Sequence, residues 1–160
     1  MKVPPSRPVQ PMFGFMQPDK PDKSKQITGI GTSNKSIEVF IAELKAAGVK
    51  LVVDVRARPY SRFYPHFNKD RLRDALREND IEYEWHGDTL GNPEDKDGKR
   101  TLAGFKLYMK TDSYREGLEK VFKMAKDKRV PLALMCAEKN ENECHRKFIL
   151  DDVRKALKKD

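Results

Sequence analysis

The chain has 160 residues, enough for one domain with a substantial core, and its 33 Lys and Arg against 25 Asp and Glu give a net charge of +8. That charge points either to an anionic partner (a phosphorylated metabolite, a nucleotide or a nucleic acid) or simply to a solvated basic surface. Two cysteines build no disulfide framework, no apolar run approaches the roughly 18 residues of a membrane span, and the N-terminus lacks the apolar core of a secretion signal.

The expected setting is therefore a reducing cytoplasm, with thiols that are free, metal-bound or redox-active. Charged residues make up 36% of the chain, with Lys and Glu mixed rather than in blocks, a composition that also occurs in thermophiles.

Residues 1–25 hold six of the ten prolines, Pro4, Pro5, Pro8, Pro11, Pro18 and Pro21. No helical or strand period survives that density, so the segment reads as an extended or flexible arm carrying an apolar knot at Met12–Met16. A single α/β domain is expected over 26–160. Ile27–Gly31 reads as its first strand, and Ser36 caps a helix with Ile37, Phe40, Ile41 and Leu44 on one face and Gly48 at its end. Between them, Thr32-Ser33-Asn34 offers amides and hydroxyls for an anion, or an ordinary turn.

Lys50–Val55 supplies a second, buried strand that ends in Asp54-Val55-Arg56-Ala57-Arg58-Pro59-Tyr60-Ser61-Arg62. One arginine paired to Asp54 is the structural reading, and it leaves the others for an anionic ligand. Phe63-Tyr64-Pro65-His66-Phe67 suits local packing, with a stacking surface for bases as the alternative. Asn68 is expected to cap a helix with Leu72, Ala75 and Leu76 inward, and Ile81, Tyr83 and Trp85 alternate as a third strand.

Residues His86 to Gly104, 19 in all, show neither period and read as a lid or an insertion. Phe105–Met109 forms a short element, and Ser113 with Glu116 makes a capping box for a helix with Tyr114, Leu118, Val121, Phe122 and Ala125 buried. The unbroken apolar run Leu132–Ala137 then predicts a strand buried on both faces. A last helix is expected from about Asn142, with Ile149, Val153, Ala156 and Leu157 inward and Arg154, Lys155, Lys158 and Lys159 outward.

Strand and helix alternate, which predicts a three-layer α/β fold: a mainly parallel sheet of four to five strands with helices on both faces, loosely Rossmann- or rhodanese-like. Three loops should then meet on the carboxyl rim of the sheet, where ligands bind in such folds. They bring Thr32 and Ser33, then Asp54, Arg56 and Arg58, then Cys136, Glu138, Cys144, His145 and Arg146.

Several motifs in this order resemble the family known as the domain of unknown function numbered 488. They are Gly31-Thr32-Ser33, Asp54-Val55-Arg56 with Pro59 and Ser61, Leu90-Gly91-Asn92, Tyr108-Met109, Cys136-Ala137-Glu138 and Cys144-His145-Arg146, covering roughly residues 26–157. Thr32 stands where the family pattern has histidine, and Asn92 where it has glycine. The resemblance implies no established reaction. A looser resemblance to rhodanese-like domains rests on Asp54-Val55-Arg56 and Cys136 and bears on the fold alone. Cys136 and Arg146 lie ten positions apart with no glycine between them, too far for an anion cradle of that kind.

Three functions compete. In the first, an enzyme holds a phosphorylated or nucleotide-like substrate on Thr32, Ser33, Asp54, Arg56, Arg58, Ser61, Cys144 and Arg146. Cys136 is then the nucleophile and Glu138 or His145 the proton carrier. In the second, the chain is a non-catalytic binder of nucleotide or nucleic acid, and in the third Cys136, Cys144 and His145 hold a structural zinc. Against the zinc, Cys144 and His145 are expected to point apart at a helix start. A redox couple between the thiols is a further option, and no cofactor is specified.

Overall fold

The computed structural model describes residues 26–127 and 130–159; the proline-rich arm and its Met12–Met16 knot lie outside the described residues. Four strands, β1 (Ile27–Gly31), β2 (Leu51–Asp54), β3 (Glu82–Trp85) and β4 (Leu132–Cys136), form one all-parallel sheet in the order β1-β4-β2-β3. The helices are α1 (Ile37–Ala46), α2 (Lys69–Arg77), α3 (Gly87–Leu90), α4 (Leu102–Tyr108), α5 (Asp112–Asp127) and α6 (Arg146–Lys159). No helix among the described residues is long and apolar enough to cross a membrane.

The central strands β2 and β4 are buried on both faces because helices cover both. Phe40 and Leu44 of α1 and Leu72 and Leu76 of α2 pack with Val52, Ala133 and Met135 on one side. On the other, Tyr114, Val121 and Ala125 of α5 and Ile149, Leu150 and Val153 of α6 pack with Leu51, Val53, Leu132 and Leu134. Residues thus alternate between layers along each strand, the period of two that a pleated backbone imposes. The result is the three-layer α/β architecture expected from the strand–helix alternation.

Strand order places the site. The chain runs from β1 through α1 to β2 and through α2 to β3, then returns by α4 and α5 to the central β4. Loops leaving β1 and β2 go to helices of one layer, and the loop leaving β4 goes to α6 of the other. The carboxyl end of β4 is therefore a switch point, where diverging loops open a crevice. Gly31 and Cys136 lie level across the β1–β4 pair, as do Asp54 and Met135 across β2–β4. Beyond the strands, Thr32 N donates to the Cys136 carbonyl (2.9 Å), Ser33 N to Ala137 (2.8 Å) and Val55 N to Met135 (3.0 Å).

Local details differ from expectation for identifiable reasons. Asn68 precedes α2 without capping it, because its Oδ1 accepts instead from the Ser61 amide at 2.6 Å. Helix α5 is capped by Thr111, whose hydroxyl accepts from Tyr114 N at 3.3 Å, so Ser113 lies inside the helix. The stretch 86–104 is not one irregular loop: α3 occupies its start and α4 begins at Leu102. Helix α6 begins at Arg146, since Glu141–Glu143 forms a separate 3-10 turn and Cys144 is extended (φ −118°, ψ 143°). Arg154 is partly buried rather than outward, donating to the Ile27 carbonyl at 3.1 Å.

Gly31 marks a tight approach at this end of the sheet. A Cβ there would lie 1.9 Å from the Glu138 carbonyl oxygen. Gly31→Ala is expected to push the β4–α6 loop away and cost about 2–3 kcal/mol, read as a lower urea midpoint at unchanged m-value.

Candidate functional site

The loop after β2 is fixed by a buried ion pair. Arg56 Nη2 and Nε meet the Asp54 carboxylate at 2.7 and 2.9 Å, and Arg56 Nη2 also donates to the Phe67 carbonyl at 2.8 Å. Tyr83 of β3 donates its hydroxyl to Asp54 at 2.6 Å, and Trp85 Nε1 donates to the Arg56 carbonyl at 2.8 Å. Burial works against the Arg56 charge, but the Asp54 carboxylate outweighs it, and the pKa of Arg56 rises above its ordinary value. Burial first, and then the Asp54 charge, raise the pKa of Tyr83 too, so its phenol stays protonated as a donor. Asp54 and Arg56 are thereby spent on the loop, the structural alternative in which one arginine pairs with Asp54.

Gly91 lets the next loop close on this one: a Cβ there would sit 2.4 Å from the Gly87 carbonyl and 2.6 Å from Ala57 Cα. The Tyr108 hydroxyl donates to the Thr89 carbonyl at 2.6 Å and ties α4 to the end of α3. Leu90, Gly91 and Tyr108 are thus packing positions that bring α4, and Phe105 on it, to the rim.

Around the end of β4 the two cysteines and one histidine converge. His145 Nε2 lies 2.9 Å from the Val55 carbonyl. A carbonyl only accepts, so that nitrogen carries a proton, and in the neutral ring Nδ1 presents a bare lone pair. Nδ1 faces Cys144 Sγ at 3.7 Å and Cys136 Sγ at 3.9 Å, and the three ligand atoms all lie within 4.8 Å of one another. Phe105 braces the imidazole edge-to-face, with ring centroids 4.9 Å apart.

Cys144 and His145 therefore do not point apart. The extended backbone of Cys144, one residue short of the helical turn, swings its side chain to the same side as the imidazole. Cys136 reaches the group because it follows Leu132 and Leu134 on the face of β4 that meets α6. The neighbouring Cys144 thiol, and then burial, raise the pKa of Cys136. The Cys136 thiol beside it, helped by the Arg146 backbone amide and charge against the cost of burial, lowers Cys144 to about 7.

The cluster forms the floor of a cleft of about 850 Å³. Thr32, Ser33, Arg56, Arg58, Ser61 and Glu138 line it with Cys136, Cys144 and His145; Asp54 and Arg146 do not. Arg146 is buried and donates to the carbonyls of Glu138 (2.7 Å) and Lys139 (3.3 Å), pinning the loop after β4. The amides of Thr32 and Ser33 are taken up by β4, and the Ser61 hydroxyl accepts from Tyr64 N at 3.0 Å. Arg58 and Arg100 share Glu94 at 3.6 and 2.9 Å, whereas Arg62 makes no ion pair among the described residues.

Tyr60 and Phe63 line the cleft while 65% and 80% exposed, as Phe67 is buried edge-on against Phe40. The aromatic stretch thus divides: Phe67 packs, and Tyr60 and Phe63 remain open. Asn92, Arg62 and Arg100 also belong to this cleft and were not singled out as site residues; only the run of arginines and aromatics after β2 hinted at Arg62.

Asp54→Asn is expected to leave the Arg56 charge buried and uncompensated, costing about 3–5 kcal/mol, while Tyr83→Phe should cost about 1 kcal/mol. Urea denaturation of both variants measures the difference.

Residues 36–153 match the family model described as Domain of unknown function DUF488. No curated protein and no solved structure matches the chain.

Proposed function

The chain belongs to that DUF488 family, and we propose that its cleft is the active site of an enzyme acting on a nucleotide-like substrate, with Cys136, Cys144 and His145 as the reacting centre. The observation that carries this reading is the convergence of both cysteines with a histidine of defined tautomer on the floor of an 850 Å³ cleft. Buried thiols kept for packing alone have no need of a shared imidazole or of access to a cleft.

The walls support the substrate class. Tyr60 and Phe63 offer exposed rings on which a base can stack, and Arg62 offers a cation not already paired among the described residues. Arg58 and Arg100 are held over the cleft by Glu94, from which a phosphate can draw them. Arg56 lines the cleft with its charge already matched by Asp54, so it shapes the site more than it binds. Glu138, exposed on the cleft wall two residues after Cys136, is the proton carrier in this reading.

Binding and chemistry separate in the test. A nucleoside monophosphate at 100 times its dissociation constant should stabilise the wild type by about 2.7 kcal/mol. Arg62→Ala should weaken that binding about tenfold or more, the loss of one hydrogen bond to a charged group. Cys144→Ser and His145→Ala should keep the thermal shift and abolish product formation from the nucleotide that binds, followed by chromatography. If only oligonucleotides bind, steeply salt-dependent and unaffected by Cys144→Ser, the protein is a nucleic-acid binder instead.

A further inference from the structure

We propose that Cys136 Sγ, Cys144 Sγ and His145 Nδ1 form a three-ligand site for a soft divalent metal of the zinc class, with its fourth position open to the cleft. The assignment deepens the reading above and rests on this cluster being the reacting centre.

Geometry comes first. A tetrahedral zinc with Zn–S of about 2.3 Å and Zn–N of about 2.0 Å sets each S···N separation near 3.5 Å. The two separations here are 3.7 and 3.9 Å, a few tenths of an ångström from that value, and the two sulfurs, within 4.8 Å of each other, close on an ion to about 3.8 Å. The donor set is two thiolates and one imidazole, ligands that suit zinc. Every other described histidine is engaged elsewhere: His66 Nε2 lies 2.9 Å from the Lys35 carbonyl, and His86 Nε2 3.3 Å from Glu84.

The surroundings agree. A metal-ligating imidazole usually donates its other N–H to a carbonyl or carboxylate, which fixes the ring and its tautomer. Val55 supplies that carbonyl, and Phe105 fixes the ring plane. Charge is also better satisfied with an ion present. A single Nδ1 lone pair can accept from only one of two thiols at a time, and two thiolates side by side repel in a buried setting. A divalent cation takes both sulfurs and the nitrogen at once and leaves the group neutral. All three residues line the cleft, so the fourth position, three protein ligands being the pattern of catalytic zinc, lies where a bound water would meet the substrate.

Cobalt(II) tests this without turnover. The purified full chain, reduced and stripped with a chelator, is titrated with Co²⁺ and its absorption recorded. The expected result is one equivalent bound, intense visible bands of a tetrahedral ion, and a near-ultraviolet thiolate-to-cobalt band that Zn²⁺ bleaches. Cys136→Ser and Cys144→Ser should each weaken the charge-transfer band, and His145→Ala should abolish saturable binding. Sulfur ligation is read from the wild type alone, so a variant that fails to fold removes nothing from the test. Absence of stoichiometric binding, or cobalt bound without a charge-transfer band, overturns the metal site. If nucleoside monophosphate still stabilises that same protein and Cys144→Ser still abolishes turnover, the cleft reading survives and only the metal fails.

Discussion

The hydrogen bond from His145 Nε2 to the Val55 carbonyl, 2.9 Å long, spans 90 positions of sequence and joins the end of β2 to the start of α6. It fixes the imidazole tautomer, and through it the direction in which the bare Nδ1 faces the sulfurs of Cys136 and Cys144. The bond depends on where Val55 sits, and Val55 is held by β4 on one side, through its amide to the Met135 carbonyl. On the other side the Asp54–Arg56 pair holds the loop that follows. Moving either strand end by an ångström would uncouple the ring from the carbonyl and let it turn over, exchanging donor for acceptor at the thiols.

The buried pair between Asp54 and Arg56 makes sense in this light. Desolvation offsets much of its Coulomb attraction, so the pair is a weak source of stability compared with well-packed apolar side chains. It gives orientation: a bidentate fork with a third bond to the Phe67 carbonyl and a phenol from β3 leaves the loop one arrangement. Arg146 does the same for the loop after β4 with two backbone carbonyls. Two of the arginines closest to the site are therefore structural, and the cations left for a ligand stand farther out, at Arg58, Arg62 and Arg100.

The sequence made much of this legible where a single physical rule governs. Apolar runs of strand length gave the parallel sheet, and Ser36 and Gly48 bounded α1 because capping is a local matter. The rim was legible because strand ends in a parallel sheet point the same way, which grouped Cys136, His145 and Arg58 before any contact was known. Direction of side chains was not legible. Whether Cys144 and His145 converge depends on one extended residue before α6, and whether Arg56 faces a ligand or Asp54 depends on a carboxylate two residues away. Asn68 misled because the Ser61 amide takes its side chain, and Ser113 because Thr111, two residues earlier, caps α5 instead. Asn92 reaches the cleft only because the second loop folds back on Ala57, a contact no local pattern encodes.

The most direct test of the account is the tautomer and environment of His145, read from a long-range ¹H–¹⁵N spectrum of the imidazoles. With three histidines in the chain, His145→Gln identifies the resonance by subtraction. The account predicts a neutral ring protonated at Nε2, with a bare or metal-shifted Nδ1, and a shift on addition of nucleoside monophosphate that His66 does not share. A ring protonated at Nδ1 alone, or one that ignores the nucleotide, would contradict it.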